Sequence, residues 1–400
     1  MDLALPHPST FLSPAPHAHP TEISAIRACT NEKALDLVAV GGETWVEVLQ
    51  RDATQPYPSF KVLATFLIGS KVTSIAWSPR TASPASAPGA WFLELVVTGA
   101  DGTLRLLAES ATAGAEVYPF GGGLSGHRGR INDICFCNSY RYIATAGDDK
   151  LCIVWDLDPP GTGNHGKEPP PTASRSPSPL SSESDEQRSD PVAYPITFSH
   201  PLHTVSSHSA NARSIMVSDS RGTVSVINWT ELVQDQSTAD GWRGHRVVEL
   251  VDPRALADGL TGLSNTWGGG ASWKQDDENV FGATYGSRWV AWNLRQLQGG
   301  KPFMSGEGHL EGGHRFRWCP TNPHLFAIST SSPLPGALIK VYHTSFPHAP
   351  RAYRILPRPH RVRDFDWLGE SIDADPRNRV WMAVAVGKKV FFLAGGEAQE

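Results

Sequence analysis

Seven tight-turn signals recur along the chain, and each lies between two short apolar runs. The turns are Gly41-Gly42, Asp101-Gly102, Asp148-Asp149, Arg221-Gly222, Gly286-Ser287, Pro335-Gly336 and Gly387-Lys388. An apolar run, a turn of Gly or Asp type and a second apolar run together indicate a β-hairpin. The sequence therefore predicts seven hairpins, and this repetition limits the fold to an architecture built of equivalent β units.

Further strand-like runs flank these hairpins on both sides. The runs KVTSIAWSP (71–79), RINDICF (130–136), HRFRWCP (314–320) and RVRDFDWL (361–368) precede hairpins. The runs FKVLATF (60–66), YPITF (194–198), RVVEL (246–250) and AYRIL (352–356) follow them as outer strands. Four strands repeated seven times predict an all-β, seven-bladed β-propeller. Without the terminal segments and the stretch 157–193, roughly 48 residues remain for each blade, slightly above the usual length of a WD40 repeat.

The propeller is predicted to occupy residues 21–394, between a Pro- and His-rich N-terminal segment (1–20) and a short tail (395–400). After the last hairpin, too few residues remain to form an outer strand for the final blade. We therefore expect the N-terminal segment, around Ser9–Ser13, to supply that strand. Such a strand would close the ring and remove an exposed sheet edge.

The stretch 157–193 is a Pro-, Ser- and acid-rich tract with almost no large apolar side chain. It cannot bury enough surface to offset the entropy lost on ordering, so it is predicted to be a disordered insertion. Ser176-Pro177 and Ser178-Pro179 are candidate phosphorylation sites within it.

Charge and cysteine content argue against several classes of function. Lys and Arg number 35 against 40 Asp and Glu, a formal net charge of −5, which gives no general basic footprint for nucleic acid and no basic stripe. No stretch reaches the roughly 18 apolar residues that a membrane span needs, so no membrane insertion is expected. Five scattered cysteines are typical of reduced thiols in the cytosol or nucleus.

No catalytic, cofactor-binding or metal-binding residues are predicted, and we do not expect an enzyme. The run Gly121-x-Gly123-x-x-Gly126 has the spacing of a dinucleotide-binding loop but precedes a predicted strand, where that motif needs a helix. Cys135-x-Cys137 lacks the two-residue spacing of a zinc site.

One blade carries a complete repeat motif. Gly126-His127 and Trp155-Asp156 bracket 27 residues that contain a predicted strand and hairpin, and this order resembles a WD40 repeat. The resemblance implies a structural hydrogen-bond network that joins four side chains, those of His127, Thr145, Asp149 and Trp155.

Two groups of residues are candidates for contacts with other proteins. Trp242 and Trp267 lie in predicted loops with Gly241, Gly268, Gly269 and Gly270, where they either contact a partner or pack against a neighbouring blade. Trp292-Asn293-Leu294-Arg295 approaches the WDxR signature of cullin-ligase substrate receptors, with Asn in place of Asp. An alternative function is therefore that of a WD40 substrate receptor of a cullin-type ubiquitin ligase.

Several segments in order carry a more specific resemblance, over roughly residues 35–395. They are LVAVGGETWVEVL (37–49), FKVLATF with VTSIAWSP (60–66, 72–79), VVTGADGTLRLL (96–107), GHRGRINDICF through GDDKLCIVWDL (126–157) and HRFRWCPTNPHLFAIST (314–330). Together they resemble the thirty-seven-kilodalton WD40-repeat nucleoporin family of the Y-shaped outer-ring subcomplex of the nuclear pore.

The resemblance implies a non-catalytic scaffold subunit of the nuclear pore complex at the nuclear envelope. It implies docking on a large nucleoporin that combines a propeller with an α-helical stalk, and a position near the large chromatin-linked nucleoporin. The role in mRNA export and protein transport would be indirect, through pore assembly, without direct nucleic-acid binding.

Overall fold

A computed structural model of the chain describes residues 15–52, 58–159, 190–230, 247–261, 269–369 and 380–395. These residues form seven four-stranded antiparallel sheets. The innermost strand of each sheet lies against the innermost strands of the two adjacent sheets, so seven inner strands surround a central axis. The predicted seven-bladed β-propeller is confirmed.

Blades 1–6 each use four consecutive strands. Blade 1 contains β2 (Ala25–Ala28), β3 (Leu37–Gly41), β4 (Trp45–Arg51) and β5 (Phe60–Leu67); blade 2 contains β6 (Val72–Trp77), β7 (Phe92–Gly99), β8 (Leu104–Ser110) and β9 (Glu116–Phe120). Blade 3 contains β10 (Ile131–Phe136), β11 (Tyr142–Gly147), β12 (Leu151–Asp156) and β13 (Val192–Thr197); blade 4 contains β14 (Leu202–His208), β15 (Asn211–Asp219), β16 (Thr223–Asn228) and β17 (Val247–Val251). Blade 5 contains β18 (Gly269–Trp273), β19 (Val280–Tyr285), β20 (Arg288–Asn293) and β21 (Met304–Glu307); blade 6 contains β22 (Arg315–Trp318), β23 (Leu325–Ser329), β24 (Ala337–His343) and β25 (Phe346–Leu356).

Blade 7 joins the two ends of the described chain. It contains β26 (Asp364–Trp367), β27 (Trp381–Val386) and β28 (Lys389–Ala394), and its outer strand is β1 (His17–Ala18). The expected closure by an N-terminal strand is therefore confirmed, although the strand lies later in the chain than predicted. The segment Ser9–Ser13, where we expected it, lies outside the described residues.

The structure corrects the prediction at two connections. The sequence predicts Gly269 and Gly270 in a loop, but they begin inner strand β18. A Cβ on Gly269 would lie 1.9 Å from the carbonyl oxygen of Thr284, so the close approach of the backbones requires glycine there. The insertion predicted at 157–193 is shorter at both ends, because Leu157 is buried and β13 begins at Val192. Residues 160–189 lie outside the described part of the chain.

The core is a series of apolar layers between adjacent blades. Where blades 5 and 6 meet, Trp289 packs edge-on against Phe326, with ring centroids 4.9 Å apart, and Phe326 stacks on Tyr342. Burial of such rings contributes a large share of the stability of the fold. An α-helix, α1 (Pro253–Leu260), lies between blades 4 and 5. No helix among the described residues is long and apolar enough to cross a membrane.

Candidate interaction surfaces

The structure brings together the four side chains of the WD40 motif in blade 3. His127 precedes β10, Thr145 lies on β11, Asp149 lies in the hairpin turn and Trp155 lies on β12. The Nδ1 atom of His127 is 2.9 Å from Oδ1 of Asp149, and its Nε2 atom is 2.7 Å from Oγ1 of Thr145. The indole N–H of Trp155 donates to the same hydroxyl oxygen, at 3.1 Å. The chain of hydrogen bonds thus runs from the turn into the core.

Burial sets the protonation of this network. Desolvation lowers the pKa of His127 below its usual range, although Asp149 acts in the opposite direction. The neutral ring then donates from Nδ1 to Asp149 and accepts at Nε2 from the hydroxyl of Thr145. Because Thr145 is fully buried and its hydroxyl is engaged on both sides, the arrangement stabilises the blade and presents no nucleophile to solvent.

The inner strands surround a central cavity of about 320 Å³. Arg27 of blade 1 lies at its wall, and its guanidinium is 3.0 Å from Asp133 of blade 3 and 3.4 Å from Asp364 of blade 7. Asp364 also accepts from Arg317 of blade 6, at 3.0 Å. These ion pairs connect four blades across the axis.

The same carboxylates also accept backbone hydrogen bonds from neighbouring blades. The N–H of Val205 on β14 donates to Asp133 at 3.2 Å, and the N–H of Ile26 on β2 donates to Asp364 at 3.1 Å. Inner strands of different blades have no shared ladder, so these side chains satisfy groups that would otherwise be unpaired. Burial raises the pKa of the nearby Asp366 to about 7. The cluster acts as a structural hub, and the described residues contain no group of His, Cys, Asp or Glu side chains suited to hold a metal ion.

Tryptophans end four of the inner strands, a repeat that sequence reasoning missed. They are Trp77, Trp273, Trp318 and Trp367. The indole N–H of Trp77 donates to the carbonyl oxygen of Arg27 at 3.0 Å, and that of Trp367 donates to the carbonyl oxygen of Arg317 at 3.1 Å. Each of these two bonds reaches the preceding blade. The recurrence of IAW, ASW, FRW and FDW in the sequence was the available signal.

A basic surface on blade 6 was also missed. Its outer strand β25 and the loop that follows carry Arg351, Arg354 and Arg358, which are all exposed. The net charge of the whole chain, −5, conceals this basic surface. A count of basic and acidic residues along the sequence would have found it.

Of the two groups predicted to contact partners, the structure describes only Trp292–Arg295, and the other stays a prediction. Trp242 and Trp267 lie outside the described residues. Trp292 is fully buried between blades, and the side chain of Asn293 accepts from the backbone N–H of Arg295 at 2.9 Å. Of that four-residue motif, Arg295 alone is exposed.

Comparison with known proteins gives two kinds of match. The family described as WD domain, G-beta repeat, matches residues 120–156, which include the His127 network. Nucleoporin Nup37 of Mus musculus is 23% identical over 314 residues, 77% of this chain and 77% of the relative. Nucleoporin Nup37 of Homo sapiens is 21% identical over 319 residues, 78% of each chain. The chain is thus a seven-bladed β-propeller in which one blade matches the WD40 repeat, and it is similar to nucleoporin Nup37 over about three quarters of its length.

Proposed function

We propose that this chain is a non-catalytic scaffold subunit of the nuclear pore complex, located at the nuclear envelope. The observation that carries the proposal is the similarity to two nucleoporins over about three quarters of both chains. A match of that extent covers most of the ring, well beyond the single repeat found by the WD40 family. It therefore concerns most of the propeller and not one blade alone.

The partner that we propose is a large nucleoporin with a propeller and an α-helical stalk, in the outer ring of the pore. A neighbouring large nucleoporin linked to chromatin is a second contact. The fold suits this role because a closed ring is rigid and presents loops and outer strands from seven blades. Support for mRNA export and protein transport would follow indirectly from pore assembly.

The chemistry of the interior supports a role without catalysis. In the central cavity, Arg27, Arg317, Asp133 and Asp364 bond to one another and to backbone groups. Polar groups engaged in this way hold blades together and have little capacity left to bind and turn over a substrate. Neither the geometry of Trp292–Arg295 nor the comparisons favour the ubiquitin-ligase alternative.

The decisive test is localisation followed by purification. The chain, tagged with a fluorescent protein at its own locus, should give a punctate nuclear rim, and purification should recover a large propeller-plus-helical nucleoporin in stoichiometric amount. Depletion should reduce pore number before it slows export of polyadenylated RNA. A diffuse signal with co-purification of a cullin adaptor would refute the proposal and favour the ligase alternative.

A further inference from the structure

Arg315, on the inner strand β22, is largely buried but makes no side-chain hydrogen bond with any described residue. It shares a face of the strand with Arg317, and both arginines face Asp364 at the axis. The side chain of Arg315 lines the central cavity and is 15% exposed, and its Nε atom is buried without a partner. Because burial of an unpaired charge is unfavourable, this guanidinium group needs acceptors for its N–H groups.

The nearest carboxylate, that of Asp364, has no acceptor site left for Arg315. An ionised carboxylate offers about four lone-pair sites. Asp364 already accepts from two guanidinium groups and two backbone N–H groups, those of Arg27, Arg317, Ile26 and Phe365. Its Oδ1 atom lies 3.6 Å from Nε of Arg315, which is beyond hydrogen-bond distance. A further acceptor for Arg315 therefore has to come from the cavity.

Positive charge exceeds negative charge around this cavity at neutral pH. Three guanidinium and three carboxyl groups meet at the axis, those of Arg27, Arg315, Arg317, Asp133, Asp364 and Asp366. Burial raises the pKa of Asp366 to about 7, so part of the molecules carry this carboxyl group uncharged. In those molecules two carboxylates face three guanidinium groups. An anion in the cavity would restore the balance.

The adjoining wall of the cavity carries small hydroxyl side chains. Ser206 on β14 and Ser272 on β18 line the cavity and are half-buried. The hydroxyl of Ser272 has no hydrogen bond within the described part of the chain, and that of Ser206 reaches only the carbonyl oxygen of Ser207, at 3.4 Å. Both hydroxyl groups can therefore donate to a ligand.

The cavity has room for a small ligand and an entrance for it. Its volume of about 320 Å³ is at the lower end of the range found for ligand pockets. Asn138, Gln275 and Pro320, in the loops that follow three of the inner strands, are exposed and also line the cavity. The cavity is thus open to solvent on the side of these loops.

We propose that the central cavity binds one small oxoanion of the phosphate type, held by Arg315 and by the hydroxyl groups of Ser206 and Ser272. Guanidinium groups bind phosphate oxygens through paired, charge-assisted N–H donors. A tetrahedral anion has oxygens in four directions, so it accepts from blade 6 and from the adjoining wall at once. The anion is a structural ligand of the axis. The proposal goes beyond the scaffold function and does not depend on it.

The carboxylates at the axis select against a cation in the same place. Asp133 accepts from Arg27 at 3.0 Å, from the hydroxyl of Ser74 at 2.8 Å and from the backbone N–H of Val205 at 3.2 Å. The acceptor sites of Asp364 are occupied in the same way. A cation would therefore meet guanidinium groups and find few carboxylate oxygens able to bind it.

Equilibrium dialysis of the full chain against radiolabelled phosphate tests the proposal. Binding should be saturable, with one phosphate per chain. Unlabelled sulfate, which is also tetrahedral, should displace it. Acetate and chloride at the same ionic strength should compete at least tenfold more weakly.

Two variants remove donors from different walls of the cavity. Arg315→Met removes the guanidinium group, and Ser206→Ala/Ser272→Ala removes the two hydroxyl groups. Each should weaken phosphate binding by about tenfold or more. The serine variant keeps every ion pair of the axis, so it decides the question if Arg315→Met fails to fold.

The matched controls carry the same substitutions at exposed positions. They are Arg254→Met on α1 and Ser125→Ala/Ser345→Ala in loops. Both should bind phosphate within twofold of the unmodified chain. Phosphate should also raise the melting temperature of the unmodified chain and of both controls in a saturable way, but not that of the two site variants.

Phosphate and sulfate at high concentration stabilise many proteins without binding, because they are excluded from the surface. Such an effect does not saturate and is equal in every variant. That result, with no phosphate bound in dialysis, would show that water alone solvates Arg315 and would overturn the proposal. Equal losses of binding in site and control variants, or tighter binding of acetate than of phosphate, would also overturn it. The nuclear-rim signal tests the scaffold function separately.

Discussion

Closure of the ring by β1 gives a quantitative prediction about stability. Removal of residues 1–20 would delete the pairing of His17 with Val390 and of Ala18 with Lys389. It would also remove the bond from the N–H of His19 to the carbonyl oxygen of Lys388, at 2.8 Å. The contact of His17 with Glu47 of blade 1, at 2.7 Å, would be lost as well. Blade 7 would then have an open outer edge.

The expected loss follows from these contacts. Roughly three backbone hydrogen bonds contribute about 1 kcal/mol each. The half-buried pair of His17 with Glu47 and the burial of His19, which is 3% exposed, add about 1–2 kcal/mol together. The free energy of unfolding should therefore fall by about 4–5 kcal/mol. With an unfolding entropy near 2.1 cal/mol/K per residue, a chain of 400 residues should melt about 5–6 °C lower.

Differential scanning calorimetry on three chains tests this reasoning. The full chain, a chain that begins at Ala15 and a chain that begins at Thr21 differ only in how much of the N-terminal segment they retain. The Ala15 chain keeps β1 and should melt within about 1 °C of the full chain, whereas the Thr21 chain should show the whole decrease. Equal melting temperatures for the Ala15 and Thr21 chains would show that the strand does not hold the ring closed.

Three further predictions concern single side chains. Thr145→Val should lower the free energy of unfolding by about 2–3 kcal/mol, because the indole N–H of Trp155 loses its buried acceptor. Calorimetry should show a much smaller loss for Thr145→Ser. Equal losses for the two variants would contradict the network. Burial lowers the pKa of His314 from the ordinary 6.5 to about 3. As the pH falls below 6.5, this histidine binds a proton in the unfolded chain but not yet in the folded chain. The free energy of unfolding should therefore decrease below pH 6.5. His314→Asn should flatten the melting profile between pH 6.5 and 4, and parallel profiles would argue against it. Gly282→Ala should lower the free energy of unfolding by about 1–3 kcal/mol, because the added Cβ would lie 2.3 Å from the ring of Phe316. Chemical denaturation measures this loss, and an unchanged denaturation midpoint would refute the prediction.

The hairpins could be predicted from the sequence, and five of the inner and outer strands could not. Turns such as Gly102, Gly222 and Gly387 adopt positive φ, which makes glycine a local signal for the reversal. Inner strands line a polar cavity and carry mixed residues, as in the sequence LHTVSSH of β14 (Leu202–His208). Where their apolar periodicity is weak, only the ring of neighbours identifies them. The inner strands β2, β14 and β18 were missed in this way. The outer strands β9 and β21 were missed because they are short and bury few side chains.

The candidate sites also differ in whether the local sequence could predict them. His127, Thr145, Asp149 and Trp155 lie within one repeat, so the resemblance of that repeat to a WD40 repeat was enough to connect them. Arg27 lies 106 residues from Asp133 and 337 from Asp364, and no local pattern relates positions so far apart. Closure of the ring is what brings them together. The hub of ion pairs at the axis is thus produced by the fold, and the spacing of its residues along the sequence cannot reveal it.

Arginines on the innermost and outermost strands of blade 6 have different roles. On its innermost strand, Arg317 lies between the carboxylates of Asp364 and Asp366, so its charge is neutralised locally and holds blade 6 to blade 7. On its outermost strand, Arg354 is exposed and no ion pair is found for it among the described residues, so its charge contributes to the surface potential. Loss of the first should lower stability, since Asp364 and Asp366 each lose one of the contacts that compensate their burial. Loss of the second should leave stability nearly unchanged, because an exposed side chain without an ion pair contributes little to the folded state.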